Sequence, residues 1–395
     1  MTPPVSRPLP AAFDPAGFRL LIVADSSTTH THRWAQWFAS RGSDVTVLSH
    51  VGDAIQGVRV VKFPPRRRWY HRIPKLRMLL DCRPFRQLVR QIDPQLIHFH
   101  FVSEGGRAFY WDAIDVPMVA SSWGQDVIFD TGPRPKAEAS LRKIFARCGR
   151  ITATTHMLAE ATAPFVPAGR PIHVIPFGVD LSRFLVRDEN LTDELTIGFV
   201  KHLLPKYGPD ILIEAFASVH RERPRTRLVM AGRGSMQADL ERRVAQLGLS
   251  DCVSILGRVP HERVPDLVRS FDIMAMPSIY ESETFGVAAI EASACGVANV
   301  ASRIGGVGEA VLDGITGLLV PPRDVDALAS AILALIGDPA RRRAMGLAGR
   351  RLVEKYYVWQ DNCRLMEEVY RAALAGDEPR DVPVYRPGIG PSFDL

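Results

Sequence analysis

FRLLIVADSSTTHTHRWAQWFASRGSDVTVLS, residues 18–49, decides the fold. Phe18–Ala24 is an unbroken apolar run, the pattern of a strand covered on both faces. A polar loop follows. An amphipathic helix over 33–41 then stops at Gly42, and a second strand spans Asp44–Ser49. Such a β-α-β unit has a right-handed crossover, which makes its two strands parallel.

The same alternation runs outward from there. Strands are predicted over 96–101, 117–122, 150–155 and 173–176, closing a domain at 18–180. IPFGVDLSRF (175–184) and the polar run RDENLTDE (187–194) mark a change, and 181–194 is expected to be a linker. Strands then recur over 195–200, 227–231, 253–256, 273–276, 298–301 and 317–320. Helices separate them over 209–220, 236–247, from 285, and over 325–336. The expected fold is α/β: two doubly wound Rossmann-like domains, 18–180 and 195–355, facing a cleft. One late helix is predicted over 338–375, its last part, 356–375, packing back toward the N-terminal domain. The Pro- and Gly-rich ends, 1–17 and 376–395, are expected to be disordered.

A length of 395 residues suits two such domains, and 46% apolar with 23% charged residues is globular composition. The longest apolar stretch, Phe285 to Ala301, is interrupted by Glu291, so no membrane-spanning helix is expected. The N-terminus lacks the apolar core of a signal peptide, which points to the cytoplasm. The five cysteines (82, 148, 252, 295, 363) are scattered and form no C-x-x-C, against a disulfide framework or zinc site. Charge is uneven. Residues 59–90 carry nine Arg and two Lys against one Asp, a net +10 that leaves −4 for the rest of a +6 chain. With Trp69, Tyr70 and Leu76 among the charges, this segment suits an anionic membrane surface at its inner face, or an anionic acceptor. A solvated loop and helix face is the plainer alternative; nucleic acid is not the expected partner.

Ligands of open parallel sheets bind beyond the carboxyl ends of the strands. The strongest signal there is PSIYESETFGVAAIEASACGVANVA, 277–301. Glu283 falls in the strand-to-helix loop. Glu291 falls inside the helix, where a carboxylate needs hydrogen-bond donors such as a ribose diol. The first turn, Phe285-Gly286-Val287, offers unbonded N–H groups and the positive end of the helix dipole. That combination suits a pyrophosphate. On spacing alone, a helix with a capping acid and a solvent-facing Glu is the simpler account.

This stretch resembles the donor-binding signature of family 4 (group 1) glycosyltransferases of the GT-B fold, with its two glutamates around an F-G pair. IPFGVDLSRF (175–184), GFVKHLLPKYGPDILIEAF (198–216), RIGGVGEAVLDGITGLLVPPRD (303–324) and SSTTHTHRWAQWFASRG (26–42) resemble further segments of that family in the same order. The resemblance implies a retaining, metal-independent transfer from a nucleoside-diphosphate sugar, which serves as co-substrate with no other cofactor. Glu283, the catalytic candidate, would touch the sugar hydroxyls and Glu291 the ribose. Ser278, Phe285, Gly286 and Val287 would line the sugar–phosphate path. Lys201, His202 and Lys206 would offset charge on the leaving diphosphate. The family's usual Arg and Lys fall in register with His202 and Tyr207, so the two lysines stand one step early. The only short D-x-D, Asp324–Asp326, reads as a helix cap, not a metal motif.

Three N-terminal loops are expected to meet the acceptor. Asp25–Arg33 supplies His30, Thr31 and Arg33. His98-Phe99-His100 places both imidazoles on one strand face, with His100 nearer the strand end. Ser121–Asp126 supplies Trp123, Gly124 and Asp126, with Asp126 as a second catalytic candidate. Many relatives have a histidine where this chain has Trp123, whose ring can stack on a sugar face. GRG (232–234) reads as a tight turn, and the glycines of GGVG (305–308) as turn formers near the donor. The acceptor is expected to be a glycan, a lipid-linked sugar or a small molecule. An epimerase on the same fold and a non-catalytic nucleotide- or membrane-binding module are the rival functions.

Overall fold

The computed structural model describes residues 13–63, 74–102, 110–111, 114–130, 132–187, 194–388 and 390–393, with only the backbone of 74–81. The chain divides into two compact units. One is Met1–Ile175 with Cys363–Ile389; the other is Pro176–Asn362 with Gly390–Leu395.

In the first unit, β1 (Arg19–Val23), α1 (Thr29–Ser40), β2 (Asp44–Ser49) and β3 (Arg59–Lys62) are followed by α2 (Pro74–Ile92) and β4 (Leu96–His100). Then come β5 (Met118–Ser122), α3 (Pro135–Arg147), β6 (Arg150–Ala153), α4 (His156–Thr162) and β7 (Ile172–Val174). The sheet order is β3-β2-β1-β4-β5-β6-β7, with every pair parallel. β1 is apolar throughout after Arg19 because both its faces are covered; Leu20, Leu21 and Ile22 are all but inaccessible.

The second unit repeats the plan. It holds β8 (Leu195–Val200), α5 (Pro209–Glu222), β9 (Thr226–Ala231), α6 (Gln237–Gln246), β10 (Val253–Gly257), α7 (Val264–Arg269) and β11 (Ile273–Met276). α8 (Val287–Ala294), β12 (Ala298–Ser302), α9 (Val307–Ala310), β13 (Gly317–Val320), α10 (Val325–Gly337) and α11 (Pro339–Tyr356) follow. Its parallel sheet runs β10-β9-β8-β11-β12-β13. In each sheet the strand order reverses beside the first strand, between β1 and β4 and between β8 and β11. Loops leaving such a pair part to opposite faces and open a crevice at the strands' carboxyl ends.

Several boundaries differ from expectation. The single late helix is two, α11 and α12 (Trp359–Ala375), broken at Tyr357 and Val358. There Val179 N donates to Tyr357 O (2.7 Å) and Trp359 N to Val179 O (3.0 Å), so a passing strand segment takes the backbone groups a continuous helix would use. Gly178 permits this, since a Cβ would collide with the Trp359 backbone.

The unit boundary at Ile175/Pro176 precedes the expected 181–194 linker. Phe184 is buried, and Arg187 binds Asp272 Oδ1 at 2.8 Å, so 181–187 belong to the second unit; 188–193 lie outside the described residues.

The ends are corrected too. Phe13 stacks edge-on against Phe18 (4.9 Å) and Tyr370 (5.9 Å), while 1–12 lie outside the described residues. The C-terminal segment is not a loose tail. Val174 N donates to Pro383 O (2.7 Å) and Tyr385 N to Ile172 O (2.8 Å), with Val384 bridging His173 antiparallel. Open hydrogen-bonding groups on edge strand β7 make that pairing favourable.

Candidate active site

The second unit's site grows from the loop after β8. Lys201 N donates to Ala231 O (3.1 Å) and Leu203 N to Arg233 O (3.0 Å). The GRG segment is therefore more than a tight turn. A Cβ on Gly232 would collide with the Lys201 carbonyl, and one on Gly234 with that of Leu203. On its other side the loop meets the segment after β11: Gly208, at φ +61°, lies against Pro277 O, and Ile279 N donates to Lys206 O (2.9 Å). Glycine is needed at these approaches because any side chain would push the backbones apart.

Held this way, Lys201 Nζ donates to Glu283 Oε2 at 2.8 Å, with both side chains largely buried. Burial works against the Lys201 charge. The Glu283 carboxylate, Tyr207 and Glu291 outweigh it and hold the ammonium pKa above the ordinary lysine value. Ser278 Oγ lies 3.5 Å from the same carboxylate oxygen, and Lys206 Nζ lies 3.4 Å from Ser282 Oγ. The GGVG turn braces the loop: Gly306 N donates to Glu283 O (3.2 Å) and Gly305 N to Glu281 Oε2 (2.8 Å).

Gly286, at φ +87°, caps α8, and Ala289 N donates to Gly286 O at 2.9 Å. The N–H groups of Val287 and Ala288 precede the first intrahelical bond and point out of the helix start. Glu291 follows one turn after Val287, on the same face. The Phe285 ring is not part of this lining. It is buried between Phe177 (6.0 Å) and Tyr357 (5.3 Å), so only its backbone is available to a ligand. His202 is exposed, its ring 6.4 Å from that of Tyr207. The structure thus brings together Lys201, Lys206, Ser278, Glu283 and the α8 start, and adds Ser282 and Tyr207. Two ammonium groups and free helix amides beside a carboxylate suit an anion carrying a hydroxylated group. Asp324 Oδ1 accepts from Ala327 N (2.8 Å), which makes the D-x-D a helix cap.

In the first unit, the acceptor candidates lie at the start of α1 (His30, Thr31, Arg33), on β4 (His98, His100) and in the loop after β5 (Trp123, Gly124, Asp126); the expected Asp25–Arg33 loop ends at Thr28, the cap of α1. His98 and His100 do share a face, with His98 Nδ1 3.0 Å from His100 Nε2. His98 also lies 2.6 Å from Tyr370 Oη and 2.7 Å from Ser121 Oγ. Burial drives the His98 pKa down to about 3. Burial, with His98 and His30 nearby, holds His100 well below the ordinary histidine value, so both rings are neutral. His100 sits wholly buried behind Trp123 (ring centroids 4.7 Å), and His30 flanks Trp123 at 6.0 Å. Trp123 and His30 are the half-buried members of this group.

Thr31 is buried, and Thr28 Oγ1 donates to its hydroxyl at 2.8 Å within the α1 cap. Arg33 is half-buried, near enough to Cys363 to act on it electrostatically. Asp126 ties its own loop to the segment after β4. Its carboxylate accepts from Gly124 N (2.7 Å), Val102 N (2.9 Å) and Trp123 N (3.1 Å). Burial still raises its pKa to about 6 against the pull of those amides.

The family model for "Glycosyl transferases group 1" matches residues 183–352, and that for "Glycosyltransferase Family 4" matches residues 27–183. A GDP-mannose-dependent alpha-(1-6)-phosphatidylinositol monomannoside mannosyltransferase of Mycolicibacterium smegmatis is 33% identical over 257 residues, 62% of this chain and 67% of that protein. The chain is a family 4, group 1 glycosyltransferase. A second relative, the D-inositol 3-phosphate glycosyltransferase of Segniliparus rotundus, is 31% identical to it over 71% of its length and 67% of the relative's.

This glycosyltransferase has the GT-B fold. It superposes on sucrose-phosphate synthase of Thermosynechococcus elongatus with a TM-score of 0.72, at 22% identity over 92% of its own chain and 98% of the other. It is an enzyme that transfers sugar, which sets aside the epimerase and the non-catalytic module. Among the described residues no helix is long and apolar enough to cross a membrane.

Proposed function

We propose that this glycosyltransferase takes a nucleoside-diphosphate sugar into the crevice between β8 and β11. It transfers the sugar with retention of configuration, without a metal, to a hydroxyl of a glycan or lipid-linked acceptor. The buried Lys201–Glu283 pair beside the start of α8 carries this reading. Glu283 meets the sugar hydroxyls next to the reacting carbon, Glu291 the ribose diol, and Lys201, Lys206 and the Val287 and Ala288 amides the diphosphate. Fixed positive partners of that kind stabilise charge developing on a leaving phosphate, the role a divalent ion otherwise fills.

In the proposed step the acceptor oxygen bonds to the anomeric carbon on the face the diphosphate leaves. The carbon–oxygen bond to the β-phosphate breaks, and the acceptor proton passes to the departing phosphate oxygen. The Trp123–His30–His100 group receives a sugar or cyclitol ring. Asp126 positions that loop. Its three amide partners favour this role over a catalytic one.

The named relatives act on phosphatidylinositol monomannoside and inositol 3-phosphate. Inositol-containing or lipid-linked acceptors are therefore the first to try. The basic stretch 59–90 adds peripheral docking on anionic lipid. Its described, exposed members include Arg59, Lys62, Arg83 and Arg90; Trp69 and Tyr70 lie outside the described residues, and for Leu76 only the backbone is described. Flotation with phosphatidylserine vesicles is expected to fall as salt rises, and binding indifferent to salt rejects the electrostatic docking.

The central test is a thermal-shift panel of uridine, guanosine and adenosine diphosphate sugars, since a ligand bound to the native state raises the melting temperature. The sugar that binds is then assayed with chelator present, and the anomeric configuration of the product is read by NMR. An inverted product, or activity abolished by chelator and restored by Mg²⁺, overturns the mechanism. No stabilisation by any donor overturns the donor site.

A further inference from the structure

Tyr207 occupies the register at which the family pattern has a lysine, yet its ring meets two lysines of this chain. Lys201 Nζ stands 4.9 Å and Lys206 Nζ 5.0 Å from the ring centroid. Both lie inside the ~6 Å within which an ammonium is attracted to an aromatic face. The ring is fixed. Pro205–Tyr207 forms a single 3-10 turn, in which Gly208 N donates to Pro205 O (3.1 Å), and Tyr207 packs partly buried on the second unit's core. The neighbouring backbone is fixed as well, through Lys206 O and Ile279 N.

Like charges brought to one subsite repel, and the flexible stem of a lysine lets its ammonium group move. Glu283 anchors Lys201, and Lys206 Nζ lies 3.4 Å from Ser282 Oγ. We infer that Tyr207 is a positioning residue for the diphosphate. Its ring, held between Lys201 and Lys206, keeps both ammonium groups at the start of α8 before the donor arrives. In this way the chain builds a two-cation clamp although its lysines stand one residue out of the family's register.

The inference rests on the donor site proposed above, and the test separates the two. Dissociation constants are measured for uridine, guanosine and adenosine diphosphate, and for the matching nucleosides, on wild type, Tyr207→Phe and Tyr207→Leu. Phe keeps the ring, so diphosphate affinity is expected to stay within about twofold of wild type. Leu keeps apolar packing but removes the π face. It is expected to weaken the diphosphate about tenfold and leave the nucleoside unchanged. If Leu binds the diphosphate as wild type does, or weakens nucleoside and diphosphate alike, the positioning role is wrong. If Phe is as poor as Leu at equal melting temperature, the hydroxyl and not the ring is responsible, and the inference fails. Should wild type bind no diphosphate at all, the donor site itself is refuted.

Discussion

Lys201 Nζ donates to Glu283 Oε2 across 2.8 Å, joining the loop after β8 to the loop after β11 where the second sheet reverses its strand order. Because both partners are largely buried, neither charge is well hydrated once the other is removed. Lys201→Met is expected to lower unfolding free energy by about 3 kcal/mol, measured by urea titration. Adding Glu283→Gln to that variant should return part of the loss while leaving turnover at least about 100-fold down. A double variant no more stable than Lys201→Met would mean the pair is not an energetic unit.

Glu291→Gln should separate binding from chemistry. The amide keeps one acceptor for a ribose hydroxyl and loses the charge, so nucleotide affinity is expected to fall about tenfold, in line with the ~1.5–3 kcal/mol of a charge-assisted hydrogen bond. Turnover at saturating donor should change less. Calorimetry with the nucleoside diphosphate gives the first number and steady-state kinetics the second; an unchanged affinity with slowed turnover would place Glu291 elsewhere.

Asp126 makes a prediction about pH. Its pKa in the fold is raised to about 6 from an ordinary 3.8, so between those values the native state holds the proton more tightly than the unfolded chain. Stability from this group is therefore greatest below pH 4 and is lost as pH rises through 6. Relative to Asp126→Asn, which cannot titrate, wild type should lose about 2 kcal/mol between pH 4 and pH 7. Parallel urea titrations across that range measure it, and a flat difference would show that the three amide bonds cancel the effect of burial.

Trp123→Leu addresses the acceptor. Removing the ring that His30 and His100 flank should raise the acceptor KM about tenfold, with donor affinity unchanged, in keeping with the ~1–2 kcal/mol of an aromatic contact. The measurement is initial rate against acceptor at saturating donor. An equal rise in donor KM would argue for general disruption of the fold.

Much of this was legible beforehand, for identifiable reasons. β1 and β11 are short apolar runs within a repeated strand–helix alternation, whereas Glu283 and Glu291 are picked out by resemblance to the family's donor signature, spacing alone fitting a capping acid and a solvent-facing Glu. The lysine assignments came from charge in a loop that resembles the family's basic donor loop. What escaped was set by contacts distant in sequence. Nothing local marks Gly232 and Gly234 as the wall behind Lys201, because the reason is the carbonyls of Lys201 and Leu203. Phe285 looked like a ligand contact by its neighbours, but its ring fills the space between Phe177 and Tyr357. The break between α11 and α12 depends on Val179, far back in the chain. Thr31 and Asp126 have the side chains of site residues. Local backbone and capping bonds claim them instead, a choice between cap and ligand that composition does not make.

Residues 363–389 complete the first unit, and Tyr370 lies fully buried there against Phe38 and His98. During synthesis on the ribosome, the whole of 176–362 emerges while the amino-terminal half still lacks this plug and the segment that covers the free side of β7. The half made first thus waits on residues 363–389 before its core closes. Emergence of residues 363–389, not of residue 175, sets the earliest moment at which the first unit matures.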